Sequence, residues 1–395
     1  MVSTTTDDTA QVRAQLKLPG AEYPVRVGEF WTSKQRCMHS LHYAVSYRAS
    51  FKPELPDYFI RRYTQPGDVV FDPFGGRGTT ALQANLLGRV GFANDINPLS
   101  ERISYPKTHP VLLADIERVL SRVDLSAPAD LAEAERADLL PFYHEDTLKE
   151  IVNLRACLRE DRSDAARFIE MIALSRLHGH SPGFLSVYSF PQISVPASNQ
   201  IRINERRGQI PDYRPVKPRI LRKARRILTD ADVDAIRRFG ERNVFTTGDS
   251  RDLADVPSDC AALIVTSPPF LDKADYVIDN WLEFWFLDID LEAMRRDIFR
   301  TSDLEKWERF MLDSMREMRR VLRPGGACVI EVGEVYYRGA WLNLDEVIAA
   351  LAPQAGFRVE EVLIHVQTFT KLANTFNVRN NTDGTNTHRL VTLRK

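Results

Sequence analysis

The chain has 395 residues, 44% of them hydrophobic, enough for one large or two ordinary domains. Lys and Arg total 53 against 54 Asp and Glu, so the net charge is −1, a whole-protein basic field is excluded, and any nucleic-acid surface must be a local patch. No apolar run approaches the roughly 20 residues of a membrane span.

The first eleven residues are polar and Thr/Asp-rich, unlike a signal peptide, and read as a mobile tail. Residues 1–35 are set aside as an N-terminal extension. The four cysteines (Cys37, Cys157, Cys260, Cys328) are widely spaced and form no C-x-x-C pair. That suits a reducing cytoplasm, the expected location, and argues against a structural zinc; no metal is expected. His178 and His180 flank a glycine and read as loop or hydrogen-bonding residues.

A helix is expected from Pro56 to Tyr63, and Gln65-Pro-Gly-Asp68 is a turn signal. Val69, Val70 and Phe71 then read as a short buried strand closed by Asp72. Glycines 75, 76 and 78 make a turn, and Thr79 opens a helix that stops at Gly88. Strand, glycine turn and helix start together bring backbone N–H groups and a positive helix end to a ligand. Arg89 to Asp95 reads as a second strand ending in an acid, 17 residues after Gly78. In dinucleotide folds an acid at this register accepts hydrogen bonds from ribose hydroxyls.

From about 107 to 242 the pattern turns helical, with segments at 113–123, 130–140, 147–158 and 164–177. A Ser/Pro/Gly-rich loop, 179–199, carries Phe184, Tyr188 and Phe190. Residues 201–226 hold ten Lys and Arg against two acids, a local charge of +8. Arg202, Arg206, Arg207, Arg214, Lys217 and Arg219 are the candidate phosphate contacts. Asn199, Gln200, Asn204 and Gln209 are candidates for reading base edges. The plainer alternative is a solvated basic helix face from Arg219 onward.

Asn243 to Asp249 is a third strand ending in an acid, and Cys260 to Thr266 a fourth, running into Ser267-Pro-Pro-Phe270. An amphipathic helix, 303–321, has Trp307, Phe310, Met311, Met315 and Met318 on a core face. The Arg323-Pro-Gly-Gly326 turn leads to a fifth strand at 327–332, a helix at 344–351, and strands at 359–366 and 390–393. Alternating strands and helices imply a doubly wound α/β sheet.

Asp-Pro-Phe-x-Gly-x-Gly-Thr-Thr (72–80) together with Thr-Ser-Pro-Pro-Phe (266–270) resembles the amino-group DNA methyltransferases of the Ser-Pro-Pro-Tyr/Phe type. The resemblance covers about residues 36–105 and 243–395. It implies a class I, Rossmann-like S-adenosylmethionine (SAM) methyltransferase fold, with the last strand antiparallel. It marks a SAM-binding half (36–105) and a catalytic half (243–395); the helical, basic insertion between them (106–242) is the candidate for target recognition by its position and charge. It implies SAM contacts at Asp72, Pro73, Phe74, Gly76, Gly78, Thr79, Asp95, Ile96 and Asp249, with Asp252 the alternative to Asp249. Phe51-Lys52-Pro53 matches the Lys-Pro segment that helps hold the amino-acid end of SAM; a solvated Lys52 is the other reading.

The resemblance makes Ser267, Pro268, Pro269 and Phe270 the catalytic residues. An exocyclic amine is a poor nucleophile because its lone pair is delocalised into the ring. The Ser267 hydroxyl and Pro268 carbonyl can accept from its N–H groups, and the prolines stiffen their carrier. Phe270 is the expected stacking platform for a flipped base, with Tyr276, Trp281 and Trp285 closing over it. No Pro-Cys dipeptide is present for carbon-5 cytosine chemistry. In the family, serine at 267 goes with cytosine N4 and an acid or amide there with adenine N6. The expected partner is double-stranded DNA. Adenine N6 or RNA as substrate, a non-catalytic nucleic-acid-binding role, and a cognate restriction enzyme as a further partner stay open.

Overall fold

The computed structural model describes residues 23–31, 38–48, 50–129, 131–190, 192–230, 232–271, 275–366 and 387–395. The expected tail at 1–11 and Cys37 lie outside them. Among the described residues ten strands form two sheets: β1 (Val25–Gly28), β2 (Val69–Asp72), β3 (Val90–Asp95), β4 (Val244–Thr247), β5 (Ala261–Thr266), β6 (Leu322–Val332), β7 (Glu334–Tyr337), β8 (Ala340–Asn343), β9 (Arg358–Val366) and β10 (Thr387–Arg394). Eight lie in the order β1-β9-β10-β6-β5-β2-β3-β4, and β7 and β8 form a separate hairpin.

β10 runs antiparallel to both of its neighbours, and the other pairings of the large sheet are parallel. Central strands are apolar on both faces because helices cover both, and all six residues of β5 are buried. Phe71 lies beside Phe92 on one side and Ile264 on the other, so β2, β3 and β5 end at nearly one level. Open α/β sheets bind ligands at that carboxyl edge. The fold is the α/β doubly wound class I methyltransferase architecture, with the inserted antiparallel strand.

Several elements depart from the sequence expectation, the β7–β8 hairpin among them. Val25–Gly28, inside the supposed extension, is a sheet strand in register with Val362–His365. The helix expected from Pro56 begins at Glu54. The Arg-Pro-Gly-Gly turn is absorbed into β6, which starts at Leu322 opposite Ala261.

Residues 106–242 do not stand apart. Phe142, Ile151, Phe168, Ile220 and Ile236 share one buried cluster with Leu82, Leu99 and Ile103 of the glycine-motif half. Leu282, Phe284 and Phe286, from the helix Trp281–Leu287 that follows the Ser-Pro-Pro motif, belong to the same cluster.

Candidate active site

The glycine turn is built by close approach. Gly78 has φ 71°, and a Cβ there would collide with the Ser104 side chain on the helix Leu99–Thr108. Gly76 has φ 50° and its N–H donates to Asp95 Oδ2 at 2.8 Å. Glycine is the residue that adopts both conformations without strain.

Asp72 ties the two halves together. Its Oδ1 accepts from Thr266 Oγ1 at 2.6 Å and from Phe74 N at 3.1 Å, and its Oδ2 from Thr80 Oγ1 at 3.0 Å. The residue before Ser267 is thus pinned to the strand that carries the glycine turn. Asp95 Oδ1 also accepts from Asn97 N at 2.9 Å. Burial pushes both carboxyls up to about 6, against the hydrogen bonds they accept.

A cleft of about 890 Å³, counted to its open mouth, lies along the carboxyl edge. Asp72, Pro73, Phe74, Gly76, Thr79, Asp95, Ile96, Asp249, Ser267 and Pro269 all line it. Sequence positions nearly 200 apart therefore face one space. Asp249 is paired with Arg251 at 2.5 Å, and this guanidinium outweighs burial and holds the carboxyl below its usual range. Trp307 Nε1 donates to the Pro269 carbonyl at 2.9 Å and fixes the Ser-Pro-Pro loop.

Several expected residues sit elsewhere. Gly78 packs against Ser104 and is not on the cleft wall, so its contribution is to let two helices meet. Lys52 is exposed and outside the cleft wall, which its neighbours Ser50 and Phe51 join. Pro268 and Phe270 are also outside that wall, and Phe270 packs against the core around Trp307 and Leu271. Trp281 donates to the Val195 carbonyl at 2.8 Å and Trp285 to Glu135, so both anchor the insertion.

Of the three residues expected to close over the base, Tyr276 is on the cleft wall, where Tyr47 joins it. Tyr47 and Tyr276 lie nearly parallel, centroids 6.2 Å apart at 14°. Burial, and then the Asp95 charge, pushes the Tyr276 hydroxyl up to about 12. Phe310, read as core, has two faces: it packs in the core and stacks on Phe299 at 4.1 Å beside Phe74. The segment around Tyr276 is held by the pairs Arg48–Asp279 and Arg300–Asp275, each at 2.6 Å.

The basic run divides. Arg214 is buried and donates to the Phe184 and Ser186 carbonyls and to Asp212, which removes it from the surface. Lys217 donates to the Val123 carbonyl at 2.6 Å, and Arg219 to those of Pro182, Phe184 and Pro215. Gln200, Asn204 and Gln209 form an internal network with the Tyr188 and Pro141 carbonyls, so they do not offer their amides to bases. Arg202, Arg206 and Arg207 remain exposed, Arg207 stacked 3.8 Å from the Tyr188 ring centroid.

His178 is a hydrogen-bonding residue. Its Nδ1 faces the Phe190 carbonyl at 2.8 Å and its Nε2 the Glu283 carboxylate at 3.0 Å. Acceptors at both nitrogens require the imidazolium. Burial opposes that charge, but Glu283 outweighs it and the pKa lies above the ordinary value. Ser194 donates to the other Glu283 oxygen at 2.6 Å. Among the described residues no group of three His, Cys, Asp or Glu is placed to hold a metal, and no helix is long and apolar enough to cross a membrane.

Comparison with known proteins finds similarity to DNA methylases. A family model described as DNA methylase, covering N6 and N4 enzymes, aligns with residues 6–105 and 261–390, more than half of the chain. The chain is 32% identical over 89 residues to the type II methyltransferase M.MjaII of Methanocaldococcus jannaschii, covering 22% of this chain and 17% of that protein. It is 22% identical over 283 residues to M.BsoBI of Geobacillus stearothermophilus, covering 65% and 54%. It thus spans about half or less of these relatives' length. A provisionally named DNA modification methylase of Thermus thermophilus, solved with SAM, is 25% identical over 38% of this chain and 53% of that one, with a TM-score of 0.23. The glycine turn and the Ser-Pro-Pro loop both fall on or beside the two matched stretches, and the chain belongs to the DNA methylase family of SAM-dependent N6 and N4 amino-group methyltransferases.

Proposed function

We propose that this chain transfers a methyl group from SAM to the exocyclic amine of a base turned out of duplex DNA, with cytosine N4 as the target. The observation that carries the reading is the Thr266–Asp72 hydrogen bond, which holds Ser267 at the mouth of the glycine-turn cleft. The cleft fits the cofactor: it has a backbone N–H turn, a ribose-height acid at Asp95, apolar and aromatic walls, and carboxylates suited to a cation. SAM would supply the methyl from a sulfonium, whose neutral thioether is a good leaving group.

The chain's own part is to bind, orient and accept hydrogen bonds. Asp95, whose oxygens accept from Gly76 N and Asn97 N, would hold the ribose hydroxyls of SAM. Ser267 Oγ, on the cleft wall, accepts from the amine and turns its lone pair toward the methyl carbon; Pro268, outside that wall, keeps its acceptor role by family resemblance alone. Alignment of two reactants can remove about 7–11 kcal/mol from a barrier. Tyr276 and Tyr47, parallel on the cleft wall, take the stacking role first assigned to Phe270. Serine at 267 favours cytosine N4 by family resemblance; adenine N6 is the alternative. The test is transfer of a tritiated methyl group from SAM to duplex DNA, with RNA and single-stranded DNA in parallel. Label confined to RNA would refute the reading.

The cleft carboxyls make SAM binding pH-dependent. Ionised Asp95 is the better acceptor for hydroxyls and the better partner for a cation. As pH falls through about 6 it takes up a proton. SAM affinity should therefore fall about tenfold between pH 7 and pH 5, one pH unit below that midpoint. Calorimetric titration across this range checks it, and Asp95→Asn should flatten the curve. The unfolded chain holds these protons less tightly, so through these groups the fold loses stability as pH rises from about 4 to 6.

Exposed Arg202 and Arg206 are kept as phosphate contacts, and Arg214 is withdrawn. Arg202→Ala and Arg206→Ala should each weaken duplex binding and reduce the salt slope by about one. Arg214→Ala should act on thermal stability instead. Anisotropy at several salt concentrations and a melting curve separate the two.

A further inference from the structure

The β7–β8 hairpin has no part in the chemistry proposed for the cleft. It starts at Glu334, just past the end of β6. β6 pairs with the catalytic strand, Ile330 beside Thr266, so the hairpin leaves the sheet where Ser267 does. One face is anchored: Val335 is buried in the cluster that holds Leu271 and Trp307, and Glu334 binds Arg389 at 2.9 Å. Among the described residues nothing covers the other face. Tyr336 and Trp341 are directly opposite in register, 61% and 59% exposed, their rings edge to face at 5.6 Å.

The tip is Arg338-Gly339, with φ 46° and 87°. Positive φ at both central residues is the primed hairpin turn, where Asn, Asp or Gly sits without strain at the first position. Here that position carries an arginine, the only charged residue between Val335 and Leu342. A strained cation and two exposed large rings on one small projection call for a ligand that is anionic and has flat apolar faces. Bases and phosphates have that chemistry.

We propose that Tyr336 and Trp341 stack on bases of the substrate DNA beside the nucleotide that enters the cleft, and that Arg338 meets a backbone phosphate. The inference rests on DNA being the substrate. The test uses the full chain and a fluorescein-labelled mixed-sequence duplex, read by anisotropy, with SAM affinity, melting temperature and sedimentation measured alongside. The Tyr336→Ala/Trp341→Ala double variant should bind the duplex at least about tenfold more weakly, with SAM affinity unchanged. Arg338→Gly relieves the turn strain, so it should melt no lower than wild type, bind more weakly and lose about one from the salt slope. If the double variant folds poorly, Arg338→Gly carries the test. Wild-type duplex binding undiminished in these variants would overturn the hairpin assignment and leave the methyltransferase reading intact. A dimer that dissociates in the double variant, with duplex binding unchanged, would give the pair to a self-interface and also overturn it. No duplex binding by wild type, with SAM still bound, would remove the substrate on which the proposal depends.

Discussion

Ser267→Ala should slow methyl transfer by about 10²–10³-fold while leaving SAM affinity essentially unchanged. The magnitude is that of removing one preorganised hydrogen-bonding group from a reacting centre. The selectivity follows from position. Ser267 leaves the sheet at Thr266, whose hydroxyl is held by buried Asp72, and the loop beyond is held by Trp307 on the Pro269 carbonyl. Neither tether uses the serine hydroxyl, so its loss removes an acceptor without moving the loop. The effect belongs in kcat. Single-turnover methylation at saturating SAM, with a separate SAM titration, measures both. Equal loss of SAM affinity and turnover would show that the serine holds the cofactor cleft and not the amine.

Arg389→Ala should cost about 3–5 kcal/mol, the largest stability effect expected of a single substitution here. Its side chain is 1% exposed and meets Asp345, 2% exposed, at 3.0 Å and Glu334 at 2.9 Å. Removing the guanidinium leaves the Asp345 carboxylate buried without its cation. Burial already holds that carboxyl above its usual range in spite of Arg389. Arg389 lies on β10, the antiparallel strand, and Glu334 begins the hairpin, so the same substitution loosens the hairpin base. Denaturant unfolding of wild type, Arg389→Ala and Arg389→Ala/Asp345→Asn measures the cost. The second change should recover part of it, because it neutralises the orphaned charge.

The placement of the cleft residues was legible where they are written as short motifs at strand ends. Asp72, Asp95, Asp249 and Ser267 each close or follow a strand, and a parallel sheet carries such ends to one edge. Their meeting in one cleft therefore follows from alternation and topology. The residues that were misread share a different cause. Charge along the chain does not say which way a side chain turns: Arg214 looks like its exposed neighbours but finds two carbonyls of the 184–186 loop inside. Amides able to read bases serve equally well to satisfy buried carbonyls, as Gln200 and Asn204 do. Phe310 keeps strict helical spacing with the core methionines and still reaches the cleft, because the helix lies at the cleft wall. Tyr47 sits in a stretch with no periodicity, and four residues of β1 are too few to show alternation.

The most direct test is nucleoside mass spectrometry after incubating the protein with SAM and unmethylated duplex DNA. N4-methylcytosine is the expected product, absent from the Ser267→Ala reaction. N6-methyladenine would keep the site and mechanism and reverse the base choice. No methylated base from duplex DNA, with SAM binding intact, would contradict the central claim that the cleft and the Ser-Pro-Pro loop act together on DNA.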